Sequence, residues 1–268
     1  MSNISVLLPV AATSDPSDLH RSHQSIVAQT TPPAEIILVT NQSLTEDTEA
    51  AINDLVTTHT LSRHEHFSDA QGLGGVLQSG LSRCSERFVA RMDADDVSEP
   101  NRFTDQLAVL SQSETDIVGS FLAEFRDDPE TLVRTRKVPT SHEEITEWMP
   151  WRCPVNHPTA MFDREAILAV GGYRNSPMME DWDLWARCLA AGLRFCNLDQ
   201  PLVRAKISDL ADRRGGISYA RAEARMAREL RRLGIASQGD TLRHLCLRVP
   251  TRLLPERLRE FVYREIAR

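Results

Sequence analysis

The sequence predicts an α/β fold, a mostly parallel central sheet flanked by helices, with a helical carboxy-terminal extension. Three observations carry this expectation. Short runs at residues 4–10 and 35–39, and a third beginning at Phe88, are apolar enough to be strands buried on both faces. Between them, residues 15–29, 45–57 and 71–83 place apolar side chains at helical spacing, and such alternation builds a parallel sheet. From residue 213 onward arginines outnumber acids about two to one, on segments of helical period.

Taken in order, the first strand closes at Pro9, which cannot donate to a central ladder. The first helix repeats Leu19, Ser22, His23, Ile26 and Val27, and Thr31-Pro32-Pro33 stops it. A second strand follows, then the loop Asn41-Gln42-Ser43 and a helix with acids in its first turns. The third helix is entered through Gly72, Gly74 and Gly75 and leads into the strand at Phe88. Beyond that the pattern is mixed. Residues 100–110, 141–149 and 180–191 read as helices, and 116–121, 131–138 and 157–162 as strands. Gly171-Gly172-Tyr173 marks a turn, and 217–233 and 241–266 read as arginine-rich helices. Ligands of parallel sheets sit beyond the carboxyl ends of the strands. Pro9, Val10, Asn41 and residues 93–96 should therefore share one edge.

Composition excludes several classes. With 268 residues, 41% hydrophobic and 26% charged, the chain is long enough for a sizeable core and ordinary for a globular protein. A net charge of −7 argues against general nucleic-acid binding. Cys84, Cys153, Cys188, Cys196 and Cys246 form no Cys-x-x-Cys pair, which points to a reducing compartment rather than zinc or disulfides. No signal peptide or membrane span is legible, so the expectation is a cytoplasmic protein.

The chemistry concentrates where the strand from Phe88 runs into Asp93, Asp95 and Asp96. Carboxylates that close repel, and a divalent cation such as Mn²⁺ or Mg²⁺ would reconcile them, usually together with substrate phosphates. Period-two alternation would put Asp93 and Asp95 on one side of the backbone. A solvated acidic turn is the bland alternative.

Four blocks in order extend this reading. They are Ser5-Val6-Leu7-Leu8-Pro9-Val10; Phe88-Val89-Ala90-Arg91-Met92-Asp93-Ala94-Asp95-Asp96 running on to Arg102; Asn156-His157-Pro158-Thr159 with Gly171-Gly172-Tyr173; and Glu180-Asp181-Trp182-Asp183-Leu184-Trp185. Together they resemble the family 2 glycosyltransferases, inverting enzymes of the GT-A fold. The resemblance implies a nucleotide-sugar donor, a UDP-sugar by the family's common base, and an Mn²⁺ or Mg²⁺ ion. The acceptor would be a saccharide or a lipid-linked one, in surface polysaccharide or glycolipid synthesis. By motif, Asp93 and Asp95 match the metal-binding Asp-X-Asp, with Asp95 the direct ligand and Asp96 a neighbour. Asp181 matches the base, with Glu180 as the fallback. Pro9, Val10, Asn41, Gly72 and Arg91 fall on the donor side with Asp93, and His157, Asp96 and Trp182 on the acceptor side. The spacing of Trp182 and Trp185 equally fits a core role. Residues 1–210 would be the catalytic domain, with a nucleotide half of about 1–97 and an acceptor half of about 98–210, and 211–268 a helical extension.

The chain departs from the family pattern at Thr40-Asn41-Gln42-Ser43, where Asp-Asp-Gly-Ser is usual, and at Ala70 and Gln78, where asparagine is usual. Asn41 can still hydrogen-bond a base edge. The departures keep a non-catalytic scaffold open as a rival; a nucleotidyltransferase ranks lower for want of a basic phosphate loop near the first strand. Arg221, Arg225, Arg228 and Arg232 share one helical face. They fit either a solvated helix packed on the domain or an anchor to an anionic membrane surface, peripheral at the inner face of the cell membrane.

Overall fold

A computed structural model describes residues 3–112, 114–207 and 215–254. The first half alternates β1 (Ile4–Pro9), α1 (Pro16–Val27), β2 (Glu35–Thr40), α2 (Glu46–Thr58), β3 (Ser62–His66), α3 (Gly72–Arg83) and β4 (Phe88–Arg91). After it come β5 (Val97–Ser98), α4 (Arg102–Gln112), β6 (Ile117–Phe125), β7 (Leu132–Arg136) and α5 (His142–Trp148). A 3₁₀ turn (His157–Thr159) precedes β8 (Met161–Asp163), α6 (Arg164–Ala169), α7 (Glu180–Ala190) and β9 (Phe195–Lys206). Two helices follow, α8 (Ile217–Arg232) and α9 (Gln238–Leu253).

The sheet runs β3-β2-β1-β4-β8-β6-β9-β5, and β7 pairs with the later half of β6, beyond β8. Pairing is parallel through β3-β2-β1-β4. Antiparallel β8 then joins β4 to β6, and β6 and β9 again run parallel. The alternation of the strands explains the layering. Val6, Leu8, Ile36 and Leu38 enter one core, and Leu7, Ile37 and Val39 enter the other. Helix α3 lies very close to the second layer. A Cβ on Gly80 would fall 2.5 Å from Leu7 Cδ1 and 2.8 Å from Val39 Cγ1, so only glycine lets the helix approach.

Caps set the helix starts. Asp15 accepts from the Ser17 and Asp18 amides ahead of Pro16, and Ser141 and Glu144 close a reciprocal box on α5. Two expectations are corrected. Residues 157–162 are not one strand, because Pro158 opens the 3₁₀ turn and β8 begins only at Met161. Asp93 and Asp95 do not alternate along a strand either. β4 ends at Arg91, and the acids lie in a turn where the Asp96 amide meets the Asp93 carbonyl at 3.4 Å.

Helices α8 and α9 pack on the rest of the chain. Ala222, Met226 and Leu230 join the same core as Trp182 and Trp185 of α7. The expected boundary at 210/211 and the stretch from 255 to 266 lie outside the described residues. Among the described residues, no helix is long and apolar enough to cross a membrane.

Candidate active site

Strand ends and one turn gather the acids. Past Arg91, β4 gives way to the turn that carries Asp93, Asp95 and Asp96, and β9 braces it from the side. There the Lys206 amide donates to Asp96 Oδ1 at 3.0 Å, and Val97 and Ser98 pair with Arg204 and Val203. Below the turn, the fully buried Arg102 donates from Nη2 to the Arg91 carbonyl at 2.7 Å and from Nε to Gln106 Oε1 at 3.1 Å. Gln106 in turn donates to the Thr159 carbonyl at 2.7 Å. The acid turn is thereby fixed to the 3₁₀ turn that carries His157.

The acids differ in their surroundings. Arg91, itself buried, forks onto Asp93, Nη1 to Oδ2 at 2.6 Å and Nη2 to Oδ1 at 2.5 Å. Burial and the charge of Asp93 raise the Asp95 pKa. Asp96 is raised well above the ordinary carboxylate value, by burial first and then by Asp93 and Asp95, and its Oδ2 meets no hydrogen-bond donor among the described residues.

Two cavities meet at this turn. One, of about 450 Å³, is lined by Pro9, Val10, Asn41, Gly72, Asp93 and Asp95, all from the first 95 residues. The other, of about 590 Å³, is lined by Arg91, Asp93, Asp95, Asp96, His157, Asp181 and Trp182, together with side chains of α8 and α9. Asp93 and Asp95 face both.

Asp181 stands in the first turn of α7. Its Oδ1 accepts from the Trp182 amide at 2.8 Å, and the Cys153 thiol donates to its Oδ2 at 3.4 Å. Two residues before α7, Met178 holds φ 72°, a left-handed conformation uncommon outside glycine. Its amide donates to Glu180 Oε1 at 3.3 Å, and Glu180 lines neither cavity. Trp182 reaches the larger cavity yet is packed. Its Nε1 donates to the Met149 carbonyl at 3.0 Å, and the Arg248 guanidinium lies 5.4 Å over its ring. His157 is buried against Tyr173, Nε2 to Oη 2.8 Å, and burial and then Arg91 hold its pKa well below the usual value. Gln78, one of the departures, accepts from the Tyr173 amide at 2.8 Å. Neighbouring Gly172 has φ 58°, and a Cβ there would fall 1.9 Å from Gln78 Oε1. Asn41 donates to the Ala70 carbonyl at 3.0 Å, which ties the loop after β2 to the start of α3.

Residues 5–171 match the sequence profile described as Glycosyl transferase family 2. The chain belongs to glycosyl transferase family 2. It is 36% identical to an uncharacterized glycosyltransferase of Haemophilus influenzae, over 98% of both chains. It is 32% identical to the Escherichia coli UDP-Gal:alpha-D-GlcNAc-diphosphoundecaprenol beta-1,3-galactosyltransferase, over 98% of this chain and 96% of that one. Among solved structures, the mannosyltransferase PcManGT from Pyrobaculum calidifontis, in complex with GDP-Man and Mn²⁺, superposes with a TM-score of 0.66. That match has 14% identity and covers 98% of this chain and 75% of that one. The fold is GT-A, and the protein is a glycosyltransferase.

This family 2 chain also shows residues that the sequence did not single out. Glu223 of α8, fully buried, accepts from His244 at 2.9 Å, from Arg248 at 3.1 Å and from Arg252 at 2.9 Å. Burial alone would raise its carboxyl, but the His244 hydrogen bond and the two arginine charges outweigh it and hold it far below the usual range. A lone glutamate facing inward at 3–4-residue spacing with Ala220, Met226 and Ala227 was the available signal. Lys137 and Arg152 also line the larger cavity, Lys137 just past β7 and Arg152 in the loop after α5.

Proposed function

We propose that this chain is a metal-dependent, inverting hexosyltransferase that moves a sugar from a UDP-sugar to a saccharide or lipid-linked acceptor. The observation that carries the reading is that two cavities meet at Asp93 and Asp95, while Asp181 lines only the larger. The smaller suits the nucleotide, with Pro9, Val10, Gly72 and Asn41 around the base and ribose. The larger suits the acceptor, with His157, Asp96 and Trp182 in its wall.

The acids fit a divalent cation. Three carboxylates crowd one turn, Arg91 answers one of them, and a buried oxygen of Asp96 has no partner among the described residues. Among the described residues no cluster of three or more donors could hold a metal alone. That agrees with an ion that takes one or two carboxylates and completes its shell with phosphates and water. Asp95, with Asp93, would hold Mn²⁺ or Mg²⁺, and the ion would offset charge on the departing nucleoside diphosphate. Mn²⁺ in the Pyrobaculum enzyme and a UDP-sugar in the name of the Escherichia coli relative support these choices.

Asp181 then acts as the base. Its carboxylate, oriented by the Trp182 amide and Cys153, takes the proton of the acceptor hydroxyl as that oxygen attacks the anomeric carbon. Attack opposite the leaving diphosphate inverts the centre in one displacement. The anomeric carbon is oxocarbenium-like at the transition state. Glu180, turned toward the Met178 amide, serves at most as a substitute.

The described part of residues 211–268 walls the acceptor cavity, and the outer side of α9 suits an anionic membrane surface. Leu242 and Leu253 are 63% and 55% exposed there, at a helical spacing that Cys246 and Val249 share. Deleting residues 240–268 would strip Glu223 of its partners, so point changes are the better probe. Leu242→Gln with Leu253→Gln should reduce flotation with phosphatidylglycerol vesicles, and unchanged flotation defeats the anchor.

Calorimetric titration of UDP and of GDP, each with and without Mn²⁺, tests the central reading. UDP should bind in the presence of Mn²⁺ and lose that binding in Asp95→Asn. Binding of neither nucleotide overturns it.

A further inference from the structure

A third cavity, of about 420 Å³, lies between α8 and the loop before α7, and among the described residues it shares no lining side chain with the other two. Arg174, Asn175 and Ser176 wall it from the loop, and Arg225, Arg228 and Arg232 from the helix. The acids that line it, Asp183 and Glu229, are already engaged. Asp183 accepts from the buried Arg187 at 2.9 Å. Glu229 accepts from Arg232 on both carboxylate oxygens, at 2.7 and 2.5 Å, and Arg174 stands 3.8 Å away. Arg225 and Arg228 are exposed, and neither forms an ion pair with an acid among the described residues.

The sequence of α8 adds to this excess. Side chains three and four positions apart are neighbours on a helix, and like charges at that spacing repel. For Arg228 these neighbours are Ala224, Arg225, Arg231 and Arg232, so a bound anion would relieve the stripe. The facing wall is preset. The Ser176 amide donates to the Arg174 carbonyl at 2.8 Å, and the Met179 amide to the Ser176 carbonyl at 2.9 Å. A Cβ on Gly74 of α3 would fall 2.1 Å from that Arg174 carbonyl, so the loop lies hard against α3. A wall built in advance lowers the cost of binding. Size and chemistry then select the ligand. Small-molecule clefts run from about 300 to 1,000 Å³, which admits a sugar phosphate or a mononucleotide and no folded partner. Guanidinium forks meet phosphate oxygens in pairs, and Asn175 and Ser176 add neutral donors opposite them.

We propose that Arg225 and Arg228, with Asn175 and Ser176 facing them, form an anion site for a small phosphate ester, separate from the donor and acceptor cavities. The site goes beyond the transferase reading and does not depend on it. No bond is made or broken there. A soluble ester and a phospholipid headgroup offer the same phosphate, and the test separates them.

The test uses the full chain and inorganic pyrophosphate, in calorimetry with EDTA present so that no cation bridges the probe to the carboxylates. Binding should appear, and should weaken by about tenfold or more in Arg225→Gln combined with Arg228→Gln. Arg221→Gln combined with Arg231→Gln removes the same charge from α8 outside the cavity, and should leave the affinity unchanged. All four arginines are exposed, so both variants should keep the wild-type Tm. UDP with Mn²⁺ should bind the first variant as it binds wild type, and its loss there would overturn the separation from the donor cavity. With the site established, phosphatidylglycerol vesicles that displace pyrophosphate assign it to a lipid headgroup, and vesicles that leave the probe in place assign it to a soluble ester. Failure of wild type to bind pyrophosphate overturns the proposal, as does equal affinity in the first variant. An equal loss in both variants overturns it too, because the net charge of the helix would then account for the binding.

Discussion

Arg91 and Asp93 share two nitrogen–oxygen contacts, at 2.6 and 2.5 Å, with the arginine side chain 4% exposed and the aspartate 34%. The pair therefore spans the boundary between the core and the cavity, and removes one of the three negative charges from the turn.

Arg91→Gln should consequently do two things. Unpairing Asp93 should cost about 1–3 kcal/mol of stability, below the range for fully buried pairs because Asp93 is partly solvated. The uncompensated charge should also tighten Mn²⁺ binding in the absence of nucleotide. Calorimetry of Mn²⁺ alone reads the second effect, and unchanged affinity would show that Arg91 does not attenuate the turn.

Asp181→Asn should lower kcat by about 10²–10⁴, the usual contribution of a positioned base. Its amide oxygen can still accept from the Trp182 amide, so Tm and nucleotide affinity should hold. Loss of nucleotide binding along with turnover would place Asp181 in donor binding instead.

For Glu223→Gln the expected cost is larger, about 3–5 kcal/mol, because Arg248 and Arg252 would face a neutral group in a buried setting. The pH dependence has a definite sign. Glu223 is depressed in the folded chain, so its stabilisation is full above the unfolded value of about 4.3 and fades as pH falls below it. Denaturant midpoints for wild type should therefore drop below that pH more steeply than those of the variant.

Histidines govern a higher window. His23, at 0% exposure and 2.6 Å from Ser62 Oγ, has its pKa lowered to about 4 by burial first, then by His59 and His20. A depressed histidine stabilises fully above about 6.5 and loses that contribution as pH falls toward its folded value. The midpoint should decline between pH 6.5 and 4.5, and His23→Asn should flatten part of the decline. An equal slope in both proteins would assign the effect to the other depressed histidines, His64 and His157.

What the sequence disclosed follows from where each segment lies. β1, β2 and β4 are covered on both faces, so their apolar runs are legible. β3, Ser-Arg-His-Glu-His at the sheet edge, is polar enough to read as a loop, and no strand is expected there from sequence. β9 passes through Asn197, Asp199, Gln200 and Pro201, where its register with β6 shifts, and the same lack of pattern conceals it. In the candidate site, Asp93, Asp95 and Asp181 stood out because motifs bunch them. Lys137 and Arg152 did not, since only tertiary packing brings two separate loops to one cavity. The arginine face of α8 was legible. Its inward carboxylate, Glu223, acquires meaning only with α9 beside it.

The smaller cavity draws its lining from residues 9–95, and most of the larger from residues 122–252. On the proposed assignment, two stretches of one gene answer two separate questions, which sugar is delivered and what receives it, and touch only at a single acidic turn. Exchange of the distal stretch between relatives could redirect a polymer's linkage while leaving its building block alone. That modularity would let a cell-surface coat diversify in small steps.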